Sequence, residues 1–238
     1  MSNQLQDKVA YITGGSKGIG YGIAQVLLNN GMKVAITSRD LNAAREAAKS
    51  LSEDESRVLP LESDVSSLQS EEAAIKAVTD HFGKLDVLVA NAGVGHFASI
   101  EELTPEDWKS TIDTNLTGVF HSVKASLDEI KKTQGYIITI ASLAGTNFFA
   151  NGSAYNASKF GLVGFTQAIM LDLRQYGVKV TTIMPGSVAT YFNNHTPSEA
   201  DAWKIQPEDI GEIVADLLKM NPRTLPSKIE VRPTTPGK

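Results

Sequence analysis

Tyr155 and Lys159 stand four residues apart in a helical pattern, and Ser142 precedes the tyrosine by thirteen. Positions i and i+4 of a helix share a face, so the phenol and the ammonium project together. That pairing suits proton transfer to a carbonyl oxygen. A phenol with an ordinary pKa of ~10 is a reluctant acid near neutrality, and a neighbouring cation favours its ionised form. A serine hydroxyl at the same oxygen would polarise it as an oxyanion donor does. Taken singly, a helix tyrosine packs, an i+4 lysine lies along the surface and a serine after a strand caps. The three in register behind a nucleotide loop read as chemistry.

That loop is Thr13-Gly14-Gly15-Ser16-Lys17-Gly18-Ile19-Gly20, which follows the apolar run Val9-Ala10-Tyr11-Ile12 and opens an amphipathic helix. Glycines at 14, 18 and 20 let the backbone turn tightly, approach a pyrophosphate and bring the helix close to the sheet, with the helix N-terminus facing the negative charge. The spacing differs from G-x-G-x-x-G, so its meaning comes from its place after the first strand. The second apolar run ends Thr37-Ser38-Arg39, where an acid would hold ribose hydroxyls. Arg39 can instead fork onto a 2′-phosphate, and Lys17 can reach the same group. NADP(H) is therefore preferred over NAD(H); the alternative is a solvated loop in which Asp40 caps the next helix.

Both groups need a scaffold that brings them to one edge. Short apolar runs alternate with longer helical patterns along the whole chain, which predicts an α/β fold: a Rossmann-like, doubly wound parallel β-sheet of about seven strands with helices on both faces. Long helices are predicted over about 105–132 and 153–176. Gly31, Gly83, Gly135 and Gly177 each fall between a helical pattern and the next strand, where a left-handed cap is expected. Thr104-Pro105-Glu106-Asp107 and Gln206-Pro207-Glu208-Asp209 read as helix starts. No linker or repeat interrupts the pattern, so residues 1–238 are expected to form one domain with a core over about 6–233.

Composition narrows the function. With no cysteine and four scattered histidines, thiolate sites, disulfides and cysteine nucleophiles are excluded, and no metal site is expected. A net charge of −5 argues against a nucleic-acid partner. A polar start and the lack of a run of ~18 apolar residues point to a cytoplasmic protein with no membrane partner.

Thr13-Gly14-x-x-x-Gly18-x-Gly20, Asn91-Ala92-Gly93, Ser142, Tyr155-x-x-x-Lys159 and Pro185-Gly186 together resemble the short-chain dehydrogenase/reductase family, in its single-domain branch. The resemblance extends from Lys8 to about Met220 and is closest to 3-oxoacyl-carrier-protein reductase-like members. It implies that Asp64 and Val65 contact adenine, and that Asn91, Ala92 and Gly93 steady the sheet and line the ribose site. It further implies that Pro185, Gly186, Val188 and Thr190 border the nicotinamide, with Thr190 on its carboxamide. By the same resemblance Asn115 holds a helix kink and completes a proton relay with Ser142, Tyr155 and Lys159. Two departures separate this chain from the carrier-protein enzymes. Tyr176 stands before Gly177, where those enzymes place a basic residue, and the tail Leu225–Pro233 lacks their glycine-glycine turn. A seventh strand at Lys228–Val231 is predicted, with prolines confining it to an edge. Assembly as a homodimer or homotetramer through the two long helices is expected.

Substrate choice falls to the loop of about 191–206, with Tyr191 and Phe192, and to Leu143, Phe148 and Phe149 beside Ser142 and Tyr155. These residues predict an apolar, aromatic pocket for a small-molecule ketone. The function predicted is NADPH-dependent reduction of a carbonyl, or of a 3-oxoacyl group, to an alcohol, with Tyr155 as general acid. The alternative is a non-catalytic, dinucleotide-binding regulatory protein of the same fold.

Overall fold

The computed structural model describes residues 4–235, apart from the side chain of Asn194. Seven strands, β1 (Val9–Ile12), β2 (Lys33–Ser38), β3 (Val58–Glu62), β4 (Val87–Ala90), β5 (Tyr136–Ile140), β6 (Lys179–Pro185) and β7 (Lys228–Val231), form one parallel sheet in the order 3-2-1-4-5-6-7. The helices are α1 (Gly18–Asn29), α2 (Leu41–Leu51), α3 (Leu68–Phe82), α4 (Pro105–Ile112), α5 (Gly118–Thr133), α6 (Ser153–Leu173) and α7 (Pro207–Lys219). Among the described residues no helix is long and apolar enough to cross a membrane.

The apolar runs are strands buried on both faces. Alternate residues such as Ile12, Ile36, Val89 and Ile138 pack against α1, α2 and α7, whereas Tyr11, Ala35, Leu88 and Ile137 pack against α3, α5 and α6. Each large side chain so buried contributes about 1.5–3 kcal/mol over its exposed state. Pro60 is tolerated because β3 is an edge strand, and β7 closes the other edge with Lys228 and Glu230 exposed. One polar set lies within the core: Tyr11 and Ser63 both donate to Oε1 of the fully buried Glu71 on α3, at 2.9 and 2.6 Å. Burial, then the adjacent Glu71, pushes the Tyr11 phenol well above its ordinary value.

The chain winds from β1 outward to β3, then crosses to β4. The carboxyl ends of β1 and β4 therefore part at a topological switch point, where doubly wound sheets bind ligands.

Three expectations are corrected. Gly31, Gly83 and Gly177 adopt positive φ, but at the fourth cap Gln134 takes the left-handed conformation. Gly135 is there for space: a Cβ on it would lie 2.2 Å from the Asp86 carbonyl. The helix expected over 105–132 is broken by a π-helical turn at Asp113–Thr117, and that over 153–176 ends in a 3-10 turn at Arg174–Tyr176. Leu5, placed outside the core by its polar neighbours, is fully buried within it.

Candidate active site

The glycine loop lies at the switch point. Gly14 and Gly18 have φ of 63° and 58°, and a Cβ on Gly20 would meet the Gly14 carbonyl at 2.5 Å. Asn91, at the end of β4, donates through Nδ2 to the carbonyls of Thr13 and Gly14 at 2.9 and 3.1 Å. Thr13 Oγ1 accepts in return from the N–H groups of Asn91 and Ala92. Thr13 is thus a site residue that sequence reasoning treated only as a motif boundary.

α2, α3 and α4 begin with side-chain caps from Asp40, Ser67 and Thr104, and at α7 Asp209 accepts from the Gln206 N–H, whereas α1, like α6, has neither a side-chain cap nor an acid in its first turn. Its N–H groups suit an anionic ligand, and a dinucleotide pyrophosphate fits this cradle. Beside it a groove of about 670 Å³ is lined by Ser16, Lys17, Gly18, Ser38, Glu46 and Tyr191, among others. Arg39 is exposed between groove-lining Ser38 and Asp40, and Asp40 also caps α2. The Thr190 methyl packs near Gly18, Gly186 donates to the Val231 carbonyl, and Val188 bridges to Ile205. Val65 packs on Gly118, while the Asp64 carboxylate accepts from Ser66.

The catalytic candidates converge beyond β5. Ser142 accepts from the Ala144 N–H at 3.1 Å and so caps the 3-10 turn Leu143–Gly145, which leaves its hydroxyl proton free of this bond. Burial pushes the Tyr155 phenol above its ordinary value, and the nearby Ser142 hydroxyl works in the opposite direction. Lys159 lies 5.7 Å from the Tyr155 ring centroid and donates to the Ile140 carbonyl at 3.0 Å. Its ammonium is buried, and desolvation lowers its pKa to about 8. In this structure burial, rather than the lysine, governs the phenol.

Asn115 occupies the π turn and is fully buried. Its carboxamide accepts from the Val94 N–H and donates to the Val94 carbonyl, both at 2.8 Å, and to Ser158 Oγ at 3.1 Å. Ser158 in turn donates to the Tyr155 carbonyl. Asn115 therefore fastens the irregular segment after Gly93 to the helix that carries Tyr155 and Lys159. Asn156, absent from the sequence expectations, clamps the loop after Ser142 by donating to the carbonyls of Ala144 and Asn147.

The expected substrate residues divide. Phe149 and Phe192 join an aromatic cluster with Tyr155, whose centre is Phe97. Leu143 packs near Gly186. Phe148 is 87% exposed and takes no part in the cluster. Tyr191, which precedes the 3-10 turn at Phe192–Asn194, lines the groove by the glycine loop instead. His195 binds Asp201 at 2.7 Å and Lys204 binds it at 2.5 Å, so this loop is cross-tied rather than open. Lys204, then His195, holds the Asp201 carboxyl well below the usual range.

The sequence profile of the family described as short chain dehydrogenase matches residues 8–201. This chain belongs to the short-chain dehydrogenase family. An uncharacterized oxidoreductase of Staphylococcus saprophyticus is 34% identical over 232 residues, covering 97% of this chain and 99% of its own. An alcohol dehydrogenase of Thermococcus sibiricus, solved with 5-hydroxy-NADP, superposes with a TM-score of 0.90 at 32% identity, covering 96% of this chain and 97% of its own. A 3-ketoacyl-(acyl-carrier-protein) reductase of Brucella melitensis, solved with NADH, gives 0.87 at 27%, covering 95% and 97%. As a short-chain dehydrogenase the protein is an oxidoreductase with a Rossmann-like fold, and Phe97, whose ring meets Tyr155, is a further residue absent from the sequence expectations. It sits in the stretch 91–103, which has no regular helix or strand whose periodicity could have flagged it.

Proposed function

We propose that the protein reduces a ketone to a secondary alcohol, with Tyr155 as general acid and NADPH preferred over NADH. The observation that carries this is the placing of Tyr155 beside Ser142, with a buried Lys159 one helical turn on, at the carboxyl edge of the sheet by the uncapped start of α1. A bound nicotinamide dinucleotide would supply the hydride to the carbonyl carbon. Ser142 donates to the carbonyl oxygen and holds it by Tyr155, which passes its phenolic proton to that oxygen as the alcohol forms. Lys159 stabilises the resulting tyrosinate, and the Asn115 turn holds the neighbouring backbone along the path by which the proton returns.

In this reading Lys17 and Arg39 carry the NADPH preference through their charge, and relatives of the same fold were solved with an NADP derivative and with NADH alike. Exposed Phe120 on α5 and Phe160 and Leu171 on α6 support a second copy docking on these helices. A screen of ketones and 3-oxoacyl thioesters with both cofactors tests the reading, together with Tyr155→Phe. The variant is expected to bind NADPH within about threefold of the parent while turnover falls by at least about a hundredfold. Unaltered turnover, or no carbonyl substrate at all, would remove the mechanism in favour of a regulatory binder.

A further inference from the structure

Phe97 touches three rings: Tyr155 at 5.3 Å between centroids, Phe149 at 5.8 Å and Phe192 at 6.1 Å. Phe192 also lies 5.6 Å from Tyr155. The planes are inclined by 49° to 70°, the edge-to-face or tilted arrangement in which ring C–H edges meet ring faces. None of the three phenylalanines belongs to either core cluster, and each is at least 37% exposed. The fold therefore does not need them where they are.

Gly95 explains how Phe192 comes so close. A Cβ there would lie 2.4 Å from the Phe192 ring, so only a bare backbone admits that ring against Tyr155. The phenyl of Phe192 thus rests on the general acid itself, and what displaces it must offer comparable apolar area in a flat, compact shape.

Charge points the same way. His96, next to Phe97, is turned to Asp107 at 3.2 Å, and His195 and Lys204 are engaged by Asp201. A carboxylate or phosphate entering the cluster would find these three side chains already paired and, apart from Lys159, which is buried and bonded to the Ile140 carbonyl, would lose its water without a counter-charge, which is costly.

We propose that Phe97, Gly95, Phe149 and Phe192 form an aromatic slot that selects ketones carried on a neutral six-membered ring. Phe97 is the fixed, shared wall and Phe192 is the wall that the substrate replaces. A ring presents C–H edges to the faces of Phe97 and Phe149 and loses little freedom on binding, whereas an open chain of equal carbon number must freeze several rotors. The proposal rests on the ketone-reductase reading and names the substrate class of that same site.

The test uses the full-length protein with NADPH and NADH, and compares kcat/KM for cyclohexanone and its methyl derivatives with 2-hexanone, 2-heptanone and a carboxylate-bearing cyclohexanone. The neutral rings are expected to be favoured over both other classes by about tenfold or more, and Phe97→Ala is expected to cut that ratio about tenfold. Phe97→Leu, which keeps apolar volume, should give an intermediate ratio and serves if the alanine variant folds poorly. Gly95→Ala should lower the ring preference by forcing Phe192 aside. Equal or better turnover of the open-chain or charged ketones overturns the slot, as does a Phe97→Ala variant that depresses all classes alike. If ketones are reduced by a Tyr155-dependent route without ring preference, only the slot is wrong. If no ketone is reduced, the reductase reading fails and the slot falls with it.

Discussion

Lys159 reaches from the second turn of α6 to the carbonyl of Ile140, the last residue of β5, and donates to it across 3.0 Å. Among the described residues this is the only side-chain hydrogen bond of a buried ammonium whose pKa is lowered to about 8. Two of its three donors are left for the reaction.

That burial sets a stability profile. Below pH about 8 the lysine is protonated in both folded and unfolded chains, and its desolvation weighs against folding by about 3 kcal/mol. Between about 8 and 10.5 the unfolded chain holds more protons, so this contribution makes stability rise with pH; above 10.5 the cost is gone. Lys159→Met is expected to stabilise the protein at pH 7 by about 1–3 kcal/mol, allowing for the lost Ile140 bond, while abolishing turnover. Urea denaturation at pH 7 and pH 10 checks this: the gain should shrink at the higher pH.

Activity should report the same group. The Tyr155 phenol is raised, so it keeps its proton in the reductive direction, and the descending limb of kcat/KM belongs to Lys159 near pH 8. Lys159→Arg should move that limb beyond pH 9 in a pH–rate profile. A limb that stays in place would assign it elsewhere.

Cofactor choice should turn on one side chain. Arg39→Asp is expected to lower kcat/KM for NADPH by about tenfold or more and to raise it for NADH, since an acid repels the 2′-phosphate and accepts from ribose hydroxyls. Steady-state kinetics with both cofactors decide it; equal losses for the two would show that Arg39 does not discriminate.

Asn115→Ala would strip partners from the Val94 N–H and carbonyl and from Ser158. A loss of about 2–4 kcal/mol is expected in equilibrium unfolding. Asn115→Asp should recover only part of it, because a carboxylate accepts from the Val94 N–H but repels the carbonyl. Equal stability of the parent and both variants would deny the bracket.

Assembly can be read by light scattering. Phe160→Glu places a charge among the exposed side chains of α6, and is expected to shift the protein to a smaller species. An unchanged mass would move the contact away from this face.

The sheet was legible because buried parallel strands are nearly continuous apolar runs, and Val9–Ile12, Val34–Ile36 and Val87–Ala90 read so without ambiguity. The serine, tyrosine and lysine were legible because helical spacing alone gives the last two a common face. Periodicity did not show the π turn, since propensity across 105–132 favours one continuous helix and the bonds from Asn115 to Val94 join residues 21 apart in sequence; only the family resemblance placed a kink at Asn115. The parting of Tyr191, on the groove, from Phe192, on Phe97, occurs at the entry to a short 3-10 turn, which composition does not encode. The burial of Glu71 goes with bonds from Ser63 and from Tyr11 on β1, the latter sixty residues away in sequence.

Asn91 has a further electrostatic consequence. By drawing the lone pairs of Thr13 and Gly14 inward to one carboxamide, it removes two acceptors from the rim of the β1–α1 turn and masks their negative ends. With α1 starting immediately afterwards, the turn acts as a polarity filter: anions meet N–H dipoles, while a cation finds those two oxygens already taken. An uncharged amide thereby helps set the sign of the ligand that this end of the sheet can hold.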